Sequence, residues 1–332
     1  MLTTVSAGRV FDFGFSFGMY ALSGQGFWSP QDFALGDEDT LYVINRGAED
    51  LGQRITICTL DHQYITQFGG PGSGDGQFVW PRSIALDRDG NIYASDDYLH
   101  RISVFDKDGN FLSKWGASGG GDGQLNAPAG IAFDADDNLH IVDSLNHRVQ
   151  KFTKDGTSLF TFGRHGSGDG ELDMPWGLCV DRDSNVFVAD WRNDRVQKFD
   201  ANGNLLVKFE GTLSGVGDLH NPTGVAVDSE GDVYVTDWGN HRVQVYGPDG
   251  TFVTTLVGDA QQPSPWTQTY IDANPDIVKA RRRTNLEPEW RFRRPVAVKI
   301  DPQDRVFILE SGNHRIQVYN KEKEYEEHAL NL

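Results

Sequence analysis

A repeat of about 47 residues limits the folds open to this chain more than any other feature. Pro30, Pro81, Pro128, Pro175, Pro222 and Pro295 each open a similar unit, at spacings of 51, 47, 47, 47 and 73 residues. A repeated unit this short cannot bury its own apolar face, so it must stack on its neighbours. Each unit has a glycine-rich lead-in, such as "GSGDGQFVWP" (72–81), and then a short apolar run such as "SIALD" or "GVAVD". A tight turn follows ("RDGN", "SEGD"), then a β-branched or aromatic run such as "VFVAD" or "VYVTD". A polar loop leads to "HRVQKF" or "HRVQVY", and a last run such as "SLFTFG" ends the unit. These runs and turns read as four strands, the content of one propeller blade.

The units predict an all-β fold: a six-bladed β-propeller of four-stranded blades, formed as one domain over residues 1–332. The segment "RVFDFG" (9–14) fits the last-strand pattern and precedes the first unit, so it is expected to close the ring as part of blade 6. The tail "KEKEYEEHALNL" (321–332) reads as a solvated acidic end.

The loop after the second strand carries "NHRV" at 146–149, "NDRV" at 193–196, "NHRV" at 240–243 and "NHRI" at 313–316. Each follows an acid, Asp143, Asp190, Asp237 or Glu310, while blade 2 has "LHRI" at 99–102 and blade 1 "GQRI" at 52–55. These residues resemble the NHL-repeat family of β-propellers over essentially the whole chain. An acid, a histidine and an arginine this close suggest a reacting constellation, but a catalytic group occurs once. This one recurs around the ring, so it is expected to tie its own loop through carboxylate, guanidinium and backbone hydrogen bonds.

Composition narrows the partners. Asp and Glu number 48 against 30 Lys and Arg, a formal net charge of −18. A field of that sign repels nucleic-acid backbones and anionic membranes, so neither is an expected partner. Cys58 and Cys179 are too few for a disulfide framework and read as buried small residues, consistent with a reducing compartment. The N-terminus lacks a basic stretch followed by an unbroken apolar run, and nowhere do eighteen apolar residues run together, so a cytoplasmic protein is expected.

Function is sought where the units disagree, on the face where the unit-to-unit connections and the second-to-third loops meet the central channel. After each proline stand Gln31, Arg82, Ala129, Trp176, Thr223 and Val296. Gln31, Asp32 and Arg82 make one side of the mouth polar, and Trp176 supplies an apolar platform. A small carboxylate or a partly planar polar ligand suits such a funnel, although Arg82 also has a simpler role in neutralising channel acids. In the second-to-third loops the variable residues include Arg46, Asp97, Tyr98, Trp191, Arg192 and Trp238. Aromatics around a mouth suit a binding surface or the packing of one blade over the next.

The interval from Pro222 to Pro295 holds 26 residues beyond the period, since 73 − 47 = 26, at about 259–290. Within it "NPDIVKARRR" predicts a short helix with Asn274 as N-cap and Pro275 at its first position. The segment is expected to lean over the channel as a lid. Its cations Lys279, Arg281, Arg282, Arg283, Arg291, Arg293 and Arg294 are expected to clamp the acidic rim in preference to an anionic ligand. Lys299 replaces a small inner-strand residue and is expected to snorkel, and His140 to be packed.

The resemblance extends to propeller enzymes. Amidating lyases of related fold hold zinc through channel histidines with a tyrosine and an arginine nearby, and "SDDYLHRISVF" (95–105) is similar to their tyrosine-bearing loop, which matches Tyr98. No histidine follows any of the six prolines, so no cofactor is expected; His165 and His220 are the remaining metal candidates. The lactonase-type inner-strand acid set is approached only by Asp32. The "DRDGN" turn at 87–91 starts like a calcium loop but reads as a hairpin turn. The leading expectation is a propeller binding a small anionic ligand, a peptide or a protein partner at its top-face mouth. The alternative is a hydrolase or lyase using Tyr98 and Arg82 in the same funnel.

Overall fold

The chain is described as a computed structural model over residues 3–48, 51–211 and 215–322. Five four-stranded antiparallel sheets and one of five strands occur among these residues. The innermost strands touch in cyclic order. Pro30–Leu35 lies beside Pro81–Leu86, then come Pro128–Phe133, Leu178–Val180, Pro222–Val227 and Pro295–Ile300, which returns to Pro30–Leu35. The result is a six-bladed propeller.

The core lies between blades. Strand Val306–Glu310 is buried along its whole length because both of its faces are covered. Val306 and Ile308 pack towards Tyr234, Val243 and Val245 of blade 5, while Phe307 and Leu309 pack towards Phe33, Leu41 and Val43 of blade 1. Each of the six apolar clusters joins one adjacent pair of blades in this way. Outermost strands such as Phe111–Trp115 have one face in water and are largely exposed.

The N-terminal strand closes the ring as expected and runs further than its sequence pattern. Arg9–Phe17 pairs antiparallel with Arg315–Glu322, from Val10 opposite Glu322 to Phe17 opposite Ile316. A further strand, Thr3–Ser6, pairs outside it and makes blade 6 five-stranded. The tail expectation needs correction at its start. Lys321 and Glu322 belong to the strand, and Lys321 is buried. Residues 323–332 lie outside the described residues.

The segment between blades 5 and 6 forms three short helices: α1 (Pro265–Asp272), α2 (Pro275–Arg281) and α3 (Glu287–Trp290). Helix α2 starts at Asn274 and Pro275 as predicted, although the Asn274 amide donates to Tyr270 O rather than capping the helix. Ser264 caps α1, its hydroxyl accepting from Thr267 N at 3.2 Å. Trp266 is buried among Phe17, Phe27 and Cys58 at the seam of blades 6 and 1, and its indole N–H donates to His62 O at 2.7 Å. The insert therefore docks on that seam and on blade 6, and none of its residues lines the channel. The lid expectation is not met because Trp266, one of the insert's two tryptophans, has its pocket in the seam.

Among the described residues no helix is long and apolar enough to cross a membrane.

Candidate functional site

The recurring acid, histidine and arginine are structural. Asp237 is fully buried. It accepts from His220 N at 2.7 Å, Asn240 Nδ2 at 2.9 Å and Arg242 Nε at 2.7 Å, and Arg242 Nη2 donates on to Asp218 O at 2.6 Å. Asp190 repeats the pattern with Asp173 N at 2.7 Å, Asn193 Nδ2 at 2.9 Å and Arg195 Nε at 2.9 Å. The histidine links blades. His241, in the left-handed region at φ 56°, accepts at Nδ1 from Arg294 N at 3.1 Å, the residue before the next blade's proline. His100, His147 and His314 accept in the same way from Ala127, Met174 and Ser29, and Asp194 takes that role towards Asn221. An accepting Nδ1 requires neutral imidazole. Burial holds His147 and His314 below the usual histidine value.

The exceptions converge at the top of the channel. Arg82 leaves its own inner strand and crosses the mouth, stacking its guanidinium 3.9 Å from the centre of the Trp176 ring. Its Nη2 donates to Asp97 at 2.6 Å and its Nη1 to Gln31 Oε1 at 3.5 Å. Asp97 also faces Arg46 at 3.8 Å, and Arg46 stacks 4.6 Å over Trp80. Trp80 meets Tyr98 edge-on at 5.4 Å, and at the other end Trp176 stacks on Trp191 at 5.6 Å. Tyr98, Trp80, Arg46, Asp97, Arg82, Trp176 and Trp191 thus form one continuous row over blades 1, 2 and 4. Alternating cations and aromatic faces attract through the ring quadrupole, about 0.5–2 kcal/mol per contact.

Burial pushes the Arg82 guanidinium down to about 10, with Asp97 opposing the shift. Burial also raises Asp97, while Arg82 and Arg46 pull it back. Asp97 Oδ1 and Arg82 Nε are enclosed and have no hydrogen-bond partner among the described residues. Below the row the neck of the channel has room for only about 30 Å³, enough for one or two waters. The open funnel expected from the sequence is closed at this level because Arg82 reaches Trp176 across the narrow ring. The outer part of the row faces solvent, with Trp80 47% and Tyr98 57% exposed.

The remaining candidates lie apart from this row. Asp32 sits deeper, accepting from Ser83 Oγ at 2.5 Å and pairing with Lys299 at 3.3 Å. Arg192 is exposed next to Trp191. Trp238 packs against the blade 6 core and stacks with Arg294 at 5.3 Å, so its indole covers a neighbouring blade. His140 is buried, with Nε2 3.0 Å from Asp134, as expected. The 87–91 turn is a hairpin turn in which Asp87 Oδ1 accepts from Asp89 N and Asn91 N. The insert's cations pair mainly within the insert, Arg281 with Glu289 at 2.5 Å and Arg291 with Glu287 at 2.8 Å; Arg291 also approaches Asp259 at the insert's own start.

His165 lies 3.7 Å from Asp173, which also faces His147 at 3.4 Å, so these three could converge on an ion. His147 Nδ1, however, is already taken by Met174 N–H. His220 faces Asp194 at 3.6 Å. Both candidate histidines are away from the channel lining.

Trp80 is absent from the sequence expectations because it precedes a proline, whereas the variable channel positions follow one. The pre-proline set, Ser29, Trp80, Ala127, Met174, Asn221 and Arg294, contains one aromatic and would have exposed it.

Profiles of three families match parts of the chain. The NHL repeat matches residues 219–246 and 292–319, the SMP-30/gluconolactonase/LRE-like region matches 120–214, and a β-propeller repeat matches 63–95. No curated protein matches significantly. Among solved structures, a streptogramin B lyase superposes with TM-score 0.58 at 12% identity, covering 94% of this chain and 98% of that one. Virginiamycin B lyase from Staphylococcus aureus gives TM-score 0.58 at 13% identity, with 96% and 90% covered. An auxiliary nutrient binding protein from Bacteroides thetaiotaomicron gives TM-score 0.61 at 14% identity, with 97% and 78% covered. Similarity at these identities is similarity of fold.

Proposed function

We propose that this chain, which is an NHL-type β-propeller, is a recognition module that holds a carboxylate-bearing peptide segment across its top face. The observation carrying this reading is the row from Tyr98 to Trp191, in which Arg46 and Arg82 alternate with four aromatic rings around Asp97. Exposed aromatics beside arginines are the side chains that dominate protein recognition surfaces. A carboxylate at the mouth would compete with Asp97 for Arg46 and Arg82, and its apolar neighbours would lie on Trp80 and Tyr98. The narrow neck favours a ligand spread over the surface rather than a small molecule sunk into the channel.

The enzymatic alternative, a hydrolase or lyase with Tyr98 and Arg82 as acid or electrostatic groups, has weaker support. Tyr98 is more than half exposed, and Arg82 is committed to Asp97 and Trp176. The lyases of similar fold lend it nothing beyond architecture.

A random peptide library selected on the immobilised protein tests the proposal, with the Trp80→Ala/Tyr98→Ala variant as counter-selection. Enrichment of sequences combining an acid with an aromatic, lost on the variant, supports it. No enrichment, or equal enrichment on both, overturns it.

A further inference from the structure

We propose that the lower end of the central channel is a second binding site, for a medium-chain aliphatic carboxylate anchored by Lys299. It lies at the opposite end from the Tyr98–Trp191 row and does not depend on the role given to that row. Below the neck the inner strands diverge into a funnel of about 320 Å³, within the usual range of ligand pockets, roughly 300–1,000 Å³. Apart from Lys299 the side chains along it are apolar on every blade, with Leu35, Leu86, Phe133, Val180, Val227 and Ile300 towards its mouth, and polar atoms share the exposed wall with them. Among the described residues Lys299 is the one charged side chain lining it.

Lys299 breaks the symmetry of its position. The other five inner strands place Ala34, Ala85, Ala132, Cys179 or Ala226 there. Among the described residues its ion-pair partner is Asp32 alone, at 3.3 Å. Asp32 has other donors: Phe33 N at 2.8 Å, Ser83 Oγ at 2.5 Å and Ile84 N at 3.3 Å. An ammonium has three N–H donors, so Lys299 retains capacity for a second carboxylate at the head of an apolar funnel. A single point charge within apolar walls suits a monoanion with an aliphatic tail better than a multiply charged phosphate.

Cations offset much of the acidic charge on the hairpin turns around the lower mouth, while Asp37, Glu38, Asp136 and Asp183 have no ion pair among the described residues. Lys154 holds Asp87, Asp89 and Asp137; Lys151 holds Asp134; Lys198 faces Asp181; Lys321 holds Asp228, Glu230 and Asp232; Arg305 holds Asp301 and faces Asp39. Arg82 on Trp176 closes the upper neck, so the ligand enters from below, carboxylate first.

The test is calorimetric titration with octanoate and with neutral octan-1-ol. Octanoate is expected to bind at one site. Lys299→Met should weaken octanoate about 10- to 100-fold, the worth of a charge-assisted hydrogen bond, and leave octan-1-ol nearly unchanged. Asp32→Asn, which removes the competing carboxylate, should tighten octanoate. Ala132→Trp should fill the funnel and abolish both. Since that variant can fail to fold, the wild-type protein is also photolysed with a diazirine-bearing octanoate, and cross-links are expected on peptides containing 33–35, 84–86 or 131–133. Absence of saturable binding, unchanged octanoate affinity in Lys299→Met, octan-1-ol binding as tightly as octanoate, or cross-links elsewhere overturns the proposal.

Discussion

Lys321→Met removes the cation that joins strand Arg315–Glu322 to blade 5, and its cost follows from the surroundings. The Lys321 side chain is 1% exposed, and its Nζ lies 2.6 Å from Asp228, 2.7 Å from Glu230 and 2.8 Å from Asp232. Glu230 is half exposed and regains water when the lysine is lost. Asp232 keeps Arg9, whose Nε and Nη2 donate at 2.8 and 2.7 Å. Asp228 keeps the Tyr234 hydroxyl at 2.8 Å but loses its counter-charge in a buried place. Breaking a buried pair this way costs about 3–5 kcal/mol, and the surviving partners put the expectation near the lower end, ~3 kcal/mol. A chain of this length has an unfolding entropy of roughly 0.7 kcal/mol/K, so Tm should fall by ~4 °C. Differential scanning calorimetry reads it directly.

The pH dependence carries a sign. Burial alone would lower the Lys321 pKa, but the three carboxylates outweigh it and raise it. That contribution is complete below the unfolded-chain value, about 10.4, and is lost only above it. Burial likewise pushes Asp232 up, yet Arg9 and Lys321 hold it below its ordinary value. Its contribution is therefore present above about pH 4 and is lost on acidification. The Tm gap between wild type and Lys321→Met should be flat between about pH 5 and 10 and shrink in acid. A gap under about 1 °C at pH 7, or one that widens in acid, refutes the reasoning.

Other outcomes follow from the same contacts. Arg82→Met leaves Asp97 facing Arg46 alone at 3.8 Å, which should cost about 2–4 kcal/mol by urea unfolding and alter the fluorescence of Trp176. Trp266→Ala empties a seam pocket and should cost about 3–5 kcal/mol, so removing the insert destabilises the propeller. His147 and His314 are held low by burial, so between their folded pKa and about 6.5 the unfolded chain binds more protons and stability rises with pH. Tm should fall from pH 7.5 to 5.5, and His314→Asn should flatten that fall.

The blades were legible because every strand recurs at a fixed offset from a proline, and turn chemistry punctuates each recurrence. The acid–histidine–arginine pattern was legible as scaffold for the same reason. What repetition did not encode was missed. Thr3–Ser6 is a short, half-exposed strand without apolar alternation. The insert's destination depended on a pocket formed jointly by Phe17, Phe27 and Cys58, residues at the opposite end of the chain from Trp266. Arg82 and Trp176 were both singled out, but their contact depends on the width of the ring, which no local pattern carries. Arg46, Asp97, Tyr98 and Trp191 stand out from their equivalents in one loop set, whereas Trp80 belongs to the pre-proline positions.

Asp96, the last residue of strand Ile92–Asp96, and Tyr98, two positions on in the loop that follows, separate scaffold from recognition. Asp96 is fully buried and accepts from Val79, Trp80, Tyr98 and Leu99 N–H groups at 2.7–3.2 Å, whereas Tyr98 is exposed. In parallel calorimetry and binding to the library-selected peptides, Asp96→Ala should lower Tm by ~4 °C or more. Tyr98→Ala should leave Tm within about 1 °C and weaken peptide binding about tenfold or more. Equal thermal losses in the two variants, or full peptide affinity in Tyr98→Ala, would contradict the division between what the blades share and what distinguishes them.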